Sequence, residues 1–344
     1  MVSVGPPAPE LRIVFFGTPA FAVPVLEHLI LSAHQVVGVV TQPDRPRGRG
    51  QQTTESPVKQ VALAHELPVL QPHGMSEPGL FERLHAWGAD LGVVAAYGQI
   101  LPQSLLDLSR FGMINVHASL LPKYRGAAPI HRAVMAGERE TGVTIIRLIR
   151  ELDAGPMLGA LALPIHEDRT SEELERELAF LGAALLVSIV DDIAAGAAVE
   201  TPQDAGLATY AARLIKADGA IDWTQPARRI HDQIRGLHPW PHAFTYLGNA
   251  RYIILKSALG QALEARTAPP DAAGSFAGQI LEASGDRLVV QCGAGDTLAI
   301  TAIQAEGRRS QTVREFLSGR RLQAGQAFAA APGPAPRSRT PSSD

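Results

Sequence analysis

Five nearly continuous apolar segments alternate with helical segments over the first half of the chain, and this alternation limits the fold more than any other feature. Strands buried on both faces of a parallel sheet have this apolar character. Helices are predicted up to about Ile30, from Pro57 to about Glu66, and over 103–109 and 129–136. The pattern predicts an α/β domain over residues 11–193, with a doubly wound, mostly parallel sheet. The predicted strands are Leu11–Gly17, Gln35–Thr41, Leu91–Ala96, Met113–Val116 and Thr144–Leu148.

The second half of the chain has a different pattern of predicted secondary structure. An Ala-, Gly- and Pro-rich stretch at 194–219 is predicted to be a linker. Short β-type segments separated by turns then predict a small OB-like β-barrel domain over 220–328. The Pro-, Ser- and Arg-rich residues 329–344 are predicted to be a disordered tail, and residues 1–10 a flexible N-terminus. The five β-type segments are Ala243–Leu247, Arg251–Ala258, Phe276–Glu282, Leu288–Gln291 and Thr297–Ile303.

Composition excludes several classes of protein. The chain has 344 residues, enough for two domains, with 46% hydrophobic and 19% charged residues. The single cysteine, Cys292, excludes an intramolecular disulfide and a cysteine zinc cluster, and it fits a reducing compartment. The N-terminus lacks the pattern of a signal peptide, and no apolar run reaches about 18 residues. We therefore expect a cytoplasmic protein without a membrane segment.

The net charge of −3 conceals an asymmetry along the chain. Residues 1–204 carry 15 Lys and Arg against 23 Asp and Glu, whereas residues 205–344 carry 16 against 11. A basic C-terminal part can attract a polyanion locally while the whole chain stays near neutral. The alternative is that the 27 arginines only reflect codon composition.

Three polar residues form the most informative constellation. Asn115 and His117 lie two residues apart on a predicted strand, so both side chains point to the same face. A turn follows directly, and Asp153 comes after the next strand. In open α/β sheets, ligands bind at the carboxyl ends of the strands. An amide, an imidazole and a carboxylate gathered there can stabilise an oxyanion and move a proton, which is the equipment for acyl transfer. A metal site built from His117, Asp153 and His131 lacks the ligand count of zinc, so no metal is predicted.

Three further segments flank this constellation. Gly17-Thr18-Pro19 lacks the second and third glycines of a dinucleotide fingerprint, which disfavours a nucleotide cofactor. The segment Tyr97–Pro102, together with Leu120–Pro122, can line a flat apolar slot for an aromatic ring system, although core packing is the alternative. The loop at 42–52 carries Arg45, Arg47 and Arg49 and is either a phosphate contact or a solvated loop.

Taken together, these residues resemble the methionyl-tRNA formyltransferase family, one of the folate-dependent formyltransferases, from Arg12 to about Leu322. The Asn-x-His and Ser-Leu-Leu-Pro elements are shared by formyltransferases of this Rossmann-like fold, and the arginine loop and basic C-terminal part point to the tRNA-directed members. The segments that carry the resemblance are Phe16–Pro19, Thr41–Gly50, Ser56–Lys59, Ala96–Pro102, Ile114–His117, Ser119–Pro122, Arg125–Ile130, Glu140–Ile145 and Ile221–Trp223.

The resemblance implies 10-formyltetrahydrofolate as the formyl donor and the α-amino group of initiator methionyl-tRNA as the acceptor, with no metal. It implies a transferase of translation initiation. Nothing in the sequence demands a dimer, so we expect a monomer. The implied roles are catalysis for Asn115, His117 and Asp153; folate binding for Ser119, Leu120, Leu121, Pro122, Tyr97, Gly98 and Ile100; and tRNA binding for Arg45, Arg47, Arg49, Arg308 and Arg309.

The sequence departs from the family pattern at three places, and several rival functions are to be considered. Gln51 and Gln52 stand where relatives often carry lysines, the charged pair Arg150-Glu151 precedes the Asp153 turn, and Pro156 stands where an acidic residue is common. The rival functions are formylation of a sugar-nucleotide amine or a ribosylglycinamide, hydrolysis of the donor to formate, and non-catalytic tRNA binding. The basic C-terminal part disfavours a small acceptor, and the intact catalytic trio disfavours a mere binding protein.

Overall fold

The computed structural model describes residues 9–47, 52–259, 277–320 and 322–332. They form two compact units. The N-terminal unit comprises the residues up to Ile130, Glu140–Ile165 and Glu173–Ala212, and the C-terminal unit comprises His131–Arg139, His166–Glu172 and the residues from Arg213 onward. Two short segments of the predicted first domain therefore belong to the C-terminal unit. Among the described residues, no helix is long and apolar enough to cross a membrane.

The secondary structure follows the predicted alternation and adds elements to it. The strands are β1 (Arg12–Gly17), β2 (Gln35–Val40), β3 (Arg45–Arg47), β4 (Gln52–Thr54), β5 (Val69–Leu70), β6 (Leu91–Ala95), β7 (Met113–His117), β8 (Arg125–Gly126), β9 (Glu140–Arg147), β10 (Met157–Pro164), β11 (Tyr210–Ala211), β12 (Ala243–Leu247), β13 (Ala250–Leu259), β14 (Ile280–Ser284), β15 (Arg287–Gln291), β16 (Thr297–Ala305) and β17 (Gln311–Thr312). The helices are α1 (Ala22–Ile30), α2 (Pro57–Ala64), α3 (Leu80–Ala86), α4 (Gln103–Leu106), α5 (Pro129–Ala136), α6 (Ser171–Ala194), α7 (Ala227–Gly236) and α8 (Val313–Gly319).

A seven-stranded sheet forms the centre of the N-terminal unit, in the order β10-β9-β7-β6-β1-β2-β5. Strands β5, β2, β1, β6 and β7 are parallel, which confirms the predicted α/β class. The predicted strand at Thr144–Leu148 is longer, as β9, and runs antiparallel to β7. Its antiparallel partner β10 was not predicted; its sequence is apolar throughout, yet most of its residues are exposed or half-buried at the edge of the sheet.

The segment predicted to be a linker has structure of its own. Thr201 pairs with Met157 at the start of β10, and β11 pairs with β8 in the loop after β7. Short 3-10 turns cover Ala205–Leu207 and Lys216–Gly219. The sequence does not predict these contacts, because the segment consists mainly of small and polar residues. Pairing through backbone groups leaves no hydrophobic pattern in the sequence.

The C-terminal unit is built on antiparallel strands in the order β12-β13-β16-β15-β14, with β17 beside β16. Its core includes the side chains of Trp223, Tyr252, Phe316 and Phe328. The predicted strand Phe276–Glu282 is displaced to β14, and Phe276 itself lies outside the described residues.

The small barrel is closed by a segment that follows α8. Ala329 exchanges two backbone hydrogen bonds with Tyr246 of β12, and Phe328 donates one to Gly278, just before β14. Gly325 and Ile280 are joined in the same way. Residues 325–329 thus join the two edges of the sheet, and the ordered chain continues past the predicted start of the tail at 329. Residues 333–344 and the N-terminal residues 1–8 lie outside the described part.

Candidate active site

Asn115 and His117 lie on β7, between β6 and β9. Asn115 pairs in register with Val94 on one side and Ile146 on the other, and His117 lies opposite Thr144. The Asn115 side chain is half-buried and makes no hydrogen bond to the residues that the structure describes. The Asn115 amide therefore has two N–H donors available to a ligand at β7.

His117 is buried, and both of its ring nitrogens face oxygen atoms. Its Nε2 lies 2.9 Å from the carbonyl oxygen of Tyr124, which can only accept, so Nε2 carries a hydrogen and donates it. Its Nδ1 lies 3.7 Å from Oδ2 of Asp153. The Nε2 hydrogen is directed to the backbone, so Nδ1 is the ring nitrogen that faces the Asp153 carboxylate.

Asp153 lies in the connection between β9 and β10, at a left-handed φ of +49° that is unusual for a residue other than glycine. Its Oδ2 accepts a 2.8 Å hydrogen bond from the backbone N–H of Gly126. The same turn contains Gly155, where a Cβ atom would collide with the carbonyl oxygen of Arg147. The structure therefore brings Asp153 to His117, as the sequence predicts, by means of a tight turn that holds its carboxylate.

The predicted folate segment Ser119–Pro122 follows β7 and is held firmly in place. Thr144 of β9 donates from Oγ1 to the Ser119 carbonyl at 2.7 Å and accepts from the Leu121 N–H at 3.1 Å. Ser119 donates from Oγ to the Lys123 carbonyl at 2.7 Å. Leu121 is buried, and Leu120 and Pro122 are half-buried. Sequence reasoning missed Thr144, since a threonine within a buried strand carries no signal of its own.

The other predicted folate residues differ in their surroundings. The Tyr97 ring lies in the core, edge-on to Phe16, so only its backbone can contribute to a slot. Its hydroxyl is buried without a hydrogen-bond partner in the described chain, and burial raises the pKa of Tyr97 far above the ordinary value of a phenol. Gly98 has a φ of +86°, and Ile100 is 80% exposed. The core alternative considered for this segment holds for the Tyr97 side chain.

The described part of the predicted arginine loop includes β3 and the first residue of β4, which pair antiparallel, and its base is anchored. Asp44 accepts from Lys59 Nζ at 2.5 Å and from Gln71 Nε2 at 2.7 Å. The hydrogen bond from Lys59 lowers the pKa of Asp44, and the same bond raises the pKa of Lys59. Arg45 is exposed and donates to the Gln42 side chain at 2.9 Å. The side chain of Arg47 and the whole of Arg49 lie outside the described residues.

Arg308 and Arg309 line a cavity of about 580 Å³ in the C-terminal unit. Both are exposed, and Arg309 lies 3.4 Å from Glu315. Arg320 also lines the cavity and lies over the rings of Tyr252 and Phe316. The cavity therefore gathers three guanidinium groups, which suits an anion.

No group of three or more His, Cys, Asp or Glu residues with the geometry of a metal site occurs in the described chain. The chemical groups that the site brings together are an amide, an imidazole and a carboxylate. They suit the transfer of an acyl group, in which an oxyanion forms and a proton moves.

Comparison with known proteins agrees with this chemistry. The model of the family described as "Formyl transferase" matches residues 11–190, and that described as "Formyl transferase, C-terminal domain" matches residues 213–321. Fold and site together define a formyl transferase.

Curated relatives show which family of formyl transferases the chain belongs to. The methionyl-tRNA formyltransferase of Citrifermentans bemidjiense is 45% identical over 315 residues, which cover 92% of this chain and 95% of the relative. That of Nitratidesulfovibrio vulgaris is 49% identical over 315 residues, covering 90% and 93%. The chain therefore belongs to the methionyl-tRNA formyltransferase family.

A solved structure shares the fold at much lower identity. It is the N-formyltransferase from Helicobacter canadensis in complex with folinic acid and dTDP-3-aminofucose. It matches with a TM-score of 0.63 at 17% identity, covering 86% of this chain and 99% of that chain.

Proposed function

We propose that the chain transfers the formyl group of 10-formyltetrahydrofolate to the α-amino group of initiator methionyl-tRNA, giving N-formylmethionyl-tRNA. The observation that carries the proposal is that His117 Nδ1 lies 3.7 Å from the Asp153 carboxylate. His117 lies on β7, and the same strand presents the unengaged amide of Asn115. The family names the acceptor, and the folinic acid bound to the Helicobacter canadensis enzyme supports a folate donor.

The reaction moves one formyl group and one proton. The amine nitrogen attacks the formyl carbon, the carbonyl oxygen takes up the electron pair, and the intermediate collapses as the bond to N10 of the folate breaks. The amine loses a proton and N10 gains one, so the enzyme ends with the protons it began with. A free α-amino group titrates near ~7.7–8.0, so a useful fraction is already neutral at cellular pH.

Each catalytic side chain has a defined role in this scheme. Asn115 donates an amide N–H to the developing oxyanion, an interaction whose loss costs about 10²–10³ in rate. A proton on Nδ1 of His117 makes the imidazole a second, charged donor. Asp153 stabilises that charge and accepts the proton that leaves the amine, directly or through water, for return to N10. Ser119, Leu120, Leu121 and Pro122 hold the tetrahydrofolate, beside Gly98, Ile100 and the backbone of Tyr97.

The tRNA is proposed to contact both basic regions. Arg45, Arg47 and Arg49 reach the acceptor stem from the loop whose base Asp44 and Lys59 anchor. Arg308 and Arg309, at the cavity of the C-terminal unit, bind phosphates further along the tRNA. A small acceptor needs neither region, which disfavours a sugar amine as substrate. In this proposal the enzyme acts as a monomer in the cytoplasm.

Kinetics of three variants test the catalytic assignment. We expect Asn115→Ala, His117→Ala and Asp153→Asn each to lower kcat by about 10²-fold or more while the folded state persists, because each removes a group that acts on the transition state. Asn249→Ala, in the turn between β12 and β13, is the matched control. Near wild-type kcat in all three variants would overturn the assignment.

The acceptor is tested with the wild-type enzyme and 10-formyltetrahydrofolate. Formylation of initiator methionyl-tRNA is expected, and elongator methionyl-tRNA, a sugar-nucleotide amine and water are the competing acceptors. Faster release of formate than of formylated tRNA would make the chain a hydrolase instead.

A further inference from the structure

We propose that Gln203, oriented by Arg125, is a positioning residue that holds the turn of Asp153 so that its carboxylate faces His117. The inference rests on the proposed function, since it concerns how the catalytic carboxylate of that function is aimed. It assigns a role to a segment that the sequence suggests is only a linker.

The Gln203 side chain uses its whole hydrogen-bonding capacity on this turn and on Arg125. Its Nε2 donates both hydrogens, one to the Asp153 carbonyl at 2.8 Å and one to the Gly155 carbonyl at 2.7 Å. Its Oε1 accepts from Arg125 Nη2 at 2.7 Å and from Arg125 Nε at 3.1 Å. A rotated amide would turn its oxygen toward two carbonyl oxygens and its nitrogen toward the guanidinium, so only one orientation is stable.

The loop after β7 therefore holds Asp153 at two points. Arg125 acts on the backbone of the turn through Gln203, and the next residue, Gly126, donates its N–H to the Asp153 carboxylate at 2.8 Å. The loop itself is tied to the segment that contains Gln203, because Arg125 donates its backbone N–H to the Thr209 carbonyl at 2.8 Å. The backbone of the Asp153 turn, the Asp153 carboxylate and the segment around Gln203 are therefore joined in one hydrogen-bond network.

The turn needs such a support. Asp153 has a left-handed backbone, which a residue with a Cβ adopts at a cost and keeps only when its surroundings impose it. Its neighbour Leu152 is 56% exposed, so apolar packing on that side contributes little. The carboxylate lies 3.7 Å from Nδ1 of His117, a distance that a small rotation of the turn changes. Gln203 thus acts on catalysis through Asp153 and touches no substrate.

The C-terminal unit offers a matched control. Gln233 Nε2 also donates to two carbonyl oxygens two residues apart, those of Asp218 at 2.8 Å and Ala220 at 3.0 Å. Gln233→Leu therefore removes the same pair of hydrogen bonds as Gln203→Leu, away from the proposed catalytic turn. Gln203→Glu keeps the acceptor for Arg125 and removes the donor to the two carbonyls.

The test compares kcat, both KM values, the pH profile of kcat and the melting temperature. We expect Gln203→Leu and Gln203→Glu to lower kcat by about 10- to 100-fold and to alter its pH profile, because misplacing a catalytic group by about 1 Å costs this much. KM for the formyl donor and for tRNA should stay at the wild-type value. Gln233→Leu should lower the melting temperature comparably and leave kcat and its pH profile unchanged.

Two kinetic outcomes would overturn the proposal. One is wild-type kcat and pH profile in Gln203→Leu, and the other is an equal loss of kcat in the Gln203 and Gln233 variants. A crystal structure of Gln203→Leu gives a test that does not depend on activity. The distance from His117 Nδ1 to Asp153 Oδ2 should increase, and an unchanged distance would refute the role. Absence of formyl transfer by the wild-type enzyme would instead contradict the proposed function.

Discussion

At the scale of single residues, the site shows how backbone groups decide the chemistry of a side chain. His117 is a plain imidazole in the sequence, yet the Tyr124 carbonyl occupies Nε2 and leaves Nδ1 facing Asp153. The expected pairing of His117 with Asp153 is therefore present through one defined nitrogen. Asn115, in contrast, keeps its amide unengaged within the described structure, which agrees with the donor role proposed for it.

Tyr97→Phe separates a core role from a folate-binding role. The Tyr97 hydroxyl is buried without a partner among the described residues, and a buried unsatisfied hydroxyl costs about 1–3 kcal/mol. We expect the free energy of unfolding, measured by urea denaturation, to stay constant or rise by about 1 kcal/mol. KM for 10-formyltetrahydrofolate should not change. A marked rise of this KM would show that the phenol contacts the donor after all.

At the scale of elements, two connecting segments determine where neighbouring elements or side chains lie. The connection between β9 and β10 brings Asp153 to His117 of β7, although the antiparallel pairing places the end of β9, Arg147, opposite Ile114 near the start of β7. The segment after α8 closes the barrel by bonding to β12 and to the residues before β14. In both cases a short stretch with little hydrophobic pattern determines where a whole element lies.

Shortening the chain tests the closing segment. Ending the chain at residue 324 removes the hydrogen bonds between Ala329 and Tyr246 and the buried ring of Phe328. We expect the C-terminal unit to lose about 3–5 kcal/mol, the usual cost of deleting a buried phenylalanine side chain, measured by thermal and urea unfolding. Ending the chain at residue 332 keeps all of these contacts and serves as the control. Equal stability of the two truncated proteins would contradict barrel closure by this segment.

At the scale of the whole molecule, charge is divided along the chain. The acidic excess lies in residues 1–204 and the basic excess in residues 205–344. Local basic regions attract a polyanion while the acidic remainder limits non-specific attachment. The exposed arginines of the C-terminal cavity belong to the basic part.

The salt dependence of tRNA binding tests this division. We expect Arg308→Gln with Arg309→Gln to weaken binding and to reduce the slope of log K against log salt by up to about 2, since each duplex phosphate contact contributes about 0.9. Binding of the folate donor should not change. The matched control is Arg287→Gln with Arg314→Gln, which removes the same charge from arginines that pair with Glu282 and Asp286. An equal loss in slope for both double variants would assign the effect to net charge alone.

Much of the fold follows from local patterns in the sequence. Continuous apolar runs such as Phe15 and Phe16 in β1 predict buried parallel strands, and the Ser56-Pro57 start predicts α2, whose N-cap accepts from Lys59 N–H. The spacing of Asn115 and His117 places both on one face of β7. These features succeed because period, capping and burial act within a few residues of one another.

The sequence by itself thus determined the α/β class, the small antiparallel barrel and the residue types of the candidate site. Only the tertiary structure decided that β9 turns antiparallel, that the Tyr97 ring packs inward, and that Gln203 and Arg125 reach the Asp153 turn. The physical reason is distance along the chain: apolar packing against Phe16 places the Tyr97 ring, and the other two outcomes depend on hydrogen bonds between backbone or polar groups far apart in the sequence. Such bonds leave no periodic signal in the residues that form them.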